Sequence, residues 1–422
     1  MSEIVNKQAA VSGLKSAGRV TVGQYLRDWF SRVRVGDLGS LPIIVGLIII
    51  MAIFGSLSAQ KFDSPIFFSE RNFVNLLLQM SGITAIAMGV VFVLLIAEID
   101  LSAAFVSAVG GVVMVLLLRE DHANYPWWAA IGIALLITTL IGLLHGWIIT
   151  KANVPSFVVT LAGLLAWSGV VLILTTRYST AGTITIQDPI VKGIANSYLP
   201  TNWSWIMYGL IILIYALIEF TQRNSLLSRN LPAKPLPIVV GQVLGLALLA
   251  GFGVWYANKD RGVPVATVII VTFLSLWSFV ASRTKFGRYV YAVGGNPEAA
   301  RRAGINVDRI RIAVFMISSL MAGVGGIILA SRLGSLSTNT GGGNLLLNAI
   351  AAAVIGGTSL FGGNGRVMSA LLGALVIASV ENGMGLMGWP SGVKFVVNGI
   401  VLLAAVLIDA YSRRSRTTSG IA

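Results

Sequence analysis

Apolar runs of about 20 residues, the length of helix that crosses a hydrocarbon core of about 30 Å, recur along the whole chain. They lie at 41–59, 73–97, 102–118, 127–149, 156–175, 205–221, 237–257, 264–282, 311–330, 345–361, 367–383 and 394–410. These twelve segments predict an all-α, polytopic transmembrane helical protein. One differs in kind. The apolar part of 345–361 stops at Gly356 and Gly357 and is followed by Thr358, Ser359 and two further glycines. That pattern fits a broken or re-entrant helix as well as a full span. The flanks, 1–40 and 411–422, are polar. In the first, Leu26, Trp29, Phe30 and Val33 recur at helical spacing and predict a short amphipathic helix over 25–33 at the membrane surface. The first flank has no apolar core of the kind a cleaved leader needs, so none is expected.

The longest charged interval between spans is 283–311, and its centre reads as a helix written in capping signals. Asn296 suits the N-cap, Pro297 the first turn and Glu298 the positive end of the helix dipole, while Gly304 ends it. Ala299, Ala300 and Ala303 then form a smooth face, with Arg301 and Arg302 beside it. Two readings stand: a helix that docks a partner protein, and an amphipathic loop helix lying on anionic headgroups.

Composition narrows the class. Apolar residues make up 56% of the chain and charged residues 11%, with a mean hydropathy of +0.84, against about 25% charged in soluble domains. The net charge of +14 would suit nucleic acid if it lay on one folded face. It lies instead in short loops. Segments on the side of the two termini carry roughly +13 against roughly +3 on the other, which places both termini and 283–311 in the cytoplasm. The polar loop 176–204 then faces outward, toward a periplasmic or extracellular partner. No cysteine is present, which excludes disulfides and thiolate chemistry.

Candidate chemistry is sparse. Glu98 and Asp100 stand at a span end, where Asp100 can cap the helix starting near Ser102; a cap or gate is the favoured reading over proton coupling. His145 reads as a satisfied packing residue. Asn348, Glu381, Asn382 and Asn398 lie within glycine-rich or apolar spans, where burying them against lipid would cost several kcal/mol each. They are therefore expected to line a translocation path rather than face lipid. No His/Asp/Glu set has metal-ligand spacing, no cofactor motif occurs, and no GxxxxGK[ST] loop is present. GGTSLFGGNGR at 356–366 lacks the Lys-Ser/Thr ending of a phosphate loop. Trp127, Trp128, Trp203, Trp205, Trp255 and Trp389 fall at span ends, as an interfacial belt.

Residues 283–409 carry SRTKFGRYVYAVGGNPEAARRAGINVDRIR, GGIILASRLGS, LNAIAAAVIGGTSLFGGNGRV and LLGALVIASVENGMGLMG in order. With AEIDLSAAFVSAVGG at 97–111, this resembles the ribose/xylose/arabinose permease family of ABC importers, although Glu98 stands where a glycine is common. An extra block of two spans, about 205–262, is similar to that of the family's xylose-transporting members. The resemblance implies a non-catalytic permease subunit for a pentose, xylose first, in a bacterial inner membrane. It also implies a paired permease, a cytoplasmic ATPase subunit docked at 296–304, and a periplasmic sugar-binding protein, with no cofactor of the permease's own. Lipid is a further partner and nucleic acid is not. A twelve-span secondary sugar transporter is the alternative. A membrane enzyme is a remote third, since no catalytic constellation is present.

The charge asymmetry makes a direct prediction. In intact cells an impermeant thiol reagent should label Thr185→Cys and Asn258→Cys but not Arg288→Cys, and labelling of Arg288→Cys would overturn the orientation.

Overall fold

The computed structural model describes residues 21–34 and 41–418. The parts of the polar flanks at 1–20, 35–40 and 419–422 lie outside the described residues. Among the described residues sixteen α-helices follow one another. The first six are α1 (Val22–Arg34), α2 (Leu41–Phe62), α3 (Glu70–Leu95), α4 (Ala103–Leu118), α5 (Trp127–Lys151) and α6 (Ser156–Tyr178). Then come α7 (Pro189–Asn196), α8 (Thr201–Ser228), α9 (Leu236–Asn258), α10 (Val265–Arg283), α11 (Lys285–Gly295) and α12 (Pro297–Arg302). The last four are α13 (Val307–Leu333), α14 (Leu345–Ile355), α15 (Met368–Leu386) and α16 (Ser391–Thr418). Two three-residue strands, β1 (Thr183–Thr185) and β2 (Ser335–Ser337), pair antiparallel with Ile184 opposite Leu336.

Among the described residues nine helices are long and apolar enough to span a membrane, namely α2, α3, α5, α6, α8, α9, α10, α13 and α15. Shorter apolar helices are α4, α14 and the stretch Ser391–Ala404 of α16. Each of the twelve predicted segments thus contains a helix, and the chain is a multi-pass membrane protein. The doubtful segment resolves in an informative way. Its helix, α14, has 11 residues, about 16 Å at 1.5 Å per residue and too short to cross alone. The irregular chain that follows holds Thr358 and Ser359 buried and reaches the far end of α3, where Gly363 N–H donates to Leu95 O at 3.0 Å. Protein thus covers part of this non-helical backbone.

The chain forms two compact units. One holds α1 and the hairpin α8–α9, whose helices touch through Tyr208 Oη donating to Ala247 O at 3.0 Å and pair Lys234 Nζ with Glu219 Oε2 at 3.0 Å. The hairpin keeps Leu213, Leu217, Leu248 and Leu249 exposed, as a lipid-facing pair of helices does.

The other unit is organised around α13, which packs against α3, α4 and α5. Lipid is as apolar as leucine, so helices in a membrane gain little by hiding leucine and associate instead where small residues let backbones approach. The crossings follow that rule. A Cβ on Gly326 would strike the Ser107 carbonyl of α4, and one on Gly142 of α5 would strike Phe315 O of α13. Gly89 of α3 lies against Ser318. At the end opposite α12, α7 docks on α13 through Ser331, whose Oγ donates to Lys192 O at 3.0 Å and accepts from Ala195 N at 2.9 Å. The polar loop predicted at 176–204 is therefore folded onto the bundle rather than free.

Arg288 and Thr185 are exposed. Asn258 is half-buried, with both amide atoms enclosed and without a hydrogen-bond partner among the described residues, so it is a poor reporter position.

Gly326→Ala should lower the stability of the purified protein by about 1–3 kcal/mol, because the added methyl meets fixed backbone. Gly169→Ala, with nothing near its Cβ, should be neutral or slightly stabilising. Thermal unfolding in detergent separates the two, and an equal response would contradict this account of the crossings.

Candidate functional site

At one end of the larger unit three chain segments meet backbone to backbone. Gly294, closing α11, lies so near Leu95 O that no side chain fits between them, and Gly362 packs on Gly294 O and Ala97. Tyr291 Oη donates to Gly365 O at 2.8 Å, and burial holds this phenol above its ordinary value, so it stays a donor. Arg311 Nε lies 3.0 Å from Glu98 Oε1, an ion pair in which the N–H is not aimed at the carboxylate. The ends of α3 and α11, the start of α13 and the glycine-rich chain after α14 form one junction.

The helix predicted over 296–304 stands on this junction as α12. Asn296 Oδ1 accepts from Ala299 N at 3.0 Å, as an N-cap does. At the other end Gly304 has φ +82°, while Ile305 N–H reaches Ala300 O and Gly304 N–H reaches Arg301 O. This is the Schellman termination, with apolar Ile305 over Ala300. Pro297 occupies the first turn, and Arg301 pairs with Glu298 at 2.9 Å. One part of the sequence reading is corrected. Ala300 is buried, so it anchors the helix to its own protein and offers nothing to a partner. The exposed surface is Glu298, Ala299, Arg301, Arg302, Ala303 and Gly304. A second helix, α11, precedes it, with Thr284 Oγ1 accepting from Gly287 N at 3.1 Å. The sequence reading missed α11, although Thr284 and the buried Val290 and Val293 signal it.

Asp100, expected at a span end, is buried there, 2% exposed. Its Oδ1 accepts from Ser102 N at 2.9 Å and Ser102 Oγ at 2.6 Å, so it closes the turn before α4 and makes no cap bond to the helix itself, whose N-cap is Ser102. Its Oδ2 accepts from Ser318 Oγ of α13 at 2.8 Å. His145 extends the network. Trp167 Nε1 donates to His145 Nε2 at 3.1 Å, which leaves the ring proton on Nδ1, 3.4 Å from Ser102 Oγ. Five side chains from α5, α6, α13 and the turn before α4 thus satisfy one another, and His145 is a packing residue.

The four polar residues assigned to a path fall into two groups on α15 and its neighbours. Asn348 Nδ2 donates to Glu381 Oε1 at 2.6 Å, and Asn398 Nδ2 reaches Glu381 Oε1 at 3.3 Å and Asn348 Oδ1 at 3.4 Å. Asn382 instead forms a reciprocal amide pair with Asn72, both bonds 2.9 Å, and lies 3.4 Å from Gln79 Oε1. Arg332 lies within electrostatic reach of Glu381, and its Nη2 is 3.4 Å from Asn75 Oδ1. Asn72, Asn75, Gln79 and Arg332 were not picked out from sequence. The spacing of three or four residues along α3 that puts its three amides together is visible there.

Above this end, a polar cavity of about 400 Å³ is lined by Arg119, Asp121, Tyr178, Thr183 and Gln187. The Arg119 guanidinium, hydrogen-bonded to Asp121, holds that carboxyl below its usual range. Among the described residues no group of acidic or histidine side chains could hold a metal ion.

Residues 72–406 match the family described as branched-chain amino acid transport system / permease component. The xylose transport system permease protein of Escherichia coli K12 is 37% identical over 91% of this chain and 95% of its own length. That of Haemophilus influenzae is 34% identical over 88% and 96%. The ribose import permease protein of Haemophilus influenzae is 32% identical over 87% and 92%. No solved structure matches the chain significantly.

Asp100→Ala leaves a buried N–H and two hydroxyls without their acceptor and should cost about 2–4 kcal/mol. Thermal unfolding of the purified variant checks this, and a loss below about 1 kcal/mol would show the network to be dispensable.

Proposed function

We propose that this chain, which belongs to the branched-chain amino acid transport system / permease component family, is the permease subunit of an ATP-driven pentose importer, with xylose as substrate. The observation that carries the reading is the 37% identity to a xylose permease across 91% of the chain, above the 32% to a ribose permease. The chain itself is not an enzyme. It sits in the bacterial inner membrane as one of a pair of copies, and a separate ATPase subunit hydrolyses ATP.

In this reading the ATPase docks on the basic face at α12. The helix is capped at both ends and held through Gly294 to the ends of α3 and α13, so a push on Ala299, Arg302 or Ala303 is delivered to the bundle instead of being absorbed by fraying. A periplasmic sugar-binding protein delivers the ligand to the opposite face, where β1, β2 and α7 lie. The sugar passes beside Asn348, Glu381, Asn382 and Asn398. Few fixed charges line these helices, which suits a neutral polyol that exchanges water for amide and hydroxyl partners.

Vesicles containing the chain with its ATPase and binding protein should take up labelled xylose only when both ATP and the binding protein are supplied. Ala299→Glu, on the exposed side of α12, should reach the membrane normally yet lose the ATPase and at least about tenfold of uptake, since it buries an unpaired charge in the contact. Uptake driven by a proton gradient alone would favour the secondary transporter. Full activity in Ala299→Glu would move the docking site elsewhere.

A further inference from the structure

The strongest unexplained group outside the junction is Asn398. Among the described side chains of α16 it is the only buried one, and it is polar, in a helix that otherwise turns Phe395, Val396, Ile400 and Leu403 outward. Its orientation is set by its neighbours. Asn348 Oδ1 and Glu381 Oε1 are both acceptors, so the amide nitrogen must face them, and a flip would set oxygen against oxygen. Oδ1 is therefore directed away from the pair. It is buried and has no hydrogen-bond partner among the described residues. The residue is 7% exposed.

A buried acceptor without a donor is uncommon in folded proteins, and one that is bare is available to a donor such as a hydroxyl. The surroundings decide what class of ligand would fit. Glu381 disfavours an anion, and Arg332, within electrostatic reach of that carboxylate, disfavours a metal cation. A neutral hydroxyl is compatible with both, since it donates to an amide or carboxylate oxygen and accepts from a guanidinium at once. The two bonds that hold Asn398, at 3.3 and 3.4 Å, are long for N–H···O and easily exchanged, whereas the 2.6 Å bond between Asn348 and Glu381 fixes the remainder.

We infer that Asn398, Glu381 and Asn348 form a hydroxyl-binding subsite for the transported sugar, in which a sugar hydroxyl donates to Asn398 Oδ1. This deepens the importer reading and rests on it. Asn398 then has two tasks: it holds α16 against α14 and α15 when no sugar is present, and exchanges that hold for the sugar during passage.

The test uses vesicles holding the complete importer and labelled xylose, with Asn398→Leu and Glu381→Gln. Leucine removes the two hydrogen bonds that hold α16, so a purely structural Asn398 predicts a lowered melting temperature with transport by the folded protein unchanged. The subsite predicts that same thermal behaviour with xylose transport reduced at least about tenfold, roughly the cost of a lost, fully desolvated hydrogen bond. Glu381→Gln keeps an acceptor for Asn348 and should also reduce transport. It carries the test if the leucine variant does not fold. Normal transport in either folded variant overturns the subsite while leaving the importer reading intact. Unsubstituted vesicles that move no xylose overturn the importer reading. In that case xylose binding to the purified chain in nanodiscs decides: weaker binding in Asn398→Leu supports the subsite, and equal or absent binding rejects it.

Discussion

Everything in the larger unit depends on how closely α13 approaches its neighbours. In a bilayer the usual drive to bury leucine is absent, and association rests on dispersion between atoms in true contact. Gly326 against the Ser107 carbonyl, Gly142 against Phe315 and Gly89 against Ser318 supply that contact along the length of one helix. The same closeness permits the Asp100 network. Ser318 lies on α13 next to the Gly89 crossing, and only at that separation can its hydroxyl reach a carboxyl from the turn before α4. Packing and polar satisfaction are here two aspects of one geometry.

The consequence for function lies at the two ends of the unit. At the basic end, the junction of Leu95, Gly294 and Gly362 joins α12 to α3, and Arg311 with Glu98 lies beside it. At the other end, amides and charges of α3, α13, α14, α15 and α16 gather in two groups. The rigid spine between them is what a transporter requires if force applied at one face is to alter a site near the other. Beside it, α16 buries a single described side chain, Asn398.

How much of this was legible in the chain follows from what is local. The spans were readable because lipid forces long apolar runs, and the ends of α12 were readable because Asn296 and Gly304 act on backbone within a few residues of themselves. Ala300 was misread because which face of a six-residue helix turns inward depends on Gly294 and Leu95, not on the helix itself. Asp188 and Pro189 carry the same capping signal as Asn296 and Pro297 and do start a helix, α7, so that signal was present and unread. The partners of Asp100 and Asn382 lie 218 and 310 residues away. No local pattern specifies such pairings. A polar residue within a span announces that it has a partner without saying which.

The central claim is that α12 and the bundle move as one body, so that ATPase motion reaches the sugar site undiminished. Because the chain contains no cysteine, the distance between spin labels at Ala303→Cys, just past α12, and Leu333→Cys, at the far end of α13, reports how α12 sits relative to that end, across a helix about 39 Å long at 1.5 Å per residue. Measured by pulsed electron spin resonance in the assembled importer, that distance should stay narrow and unchanged between nucleotide-free and nucleotide-bound states. A broad distribution, or a shift of more than about 5 Å, one helical turn, on adding nucleotide, would mean that α12 swings independently of the bundle and would contradict the account.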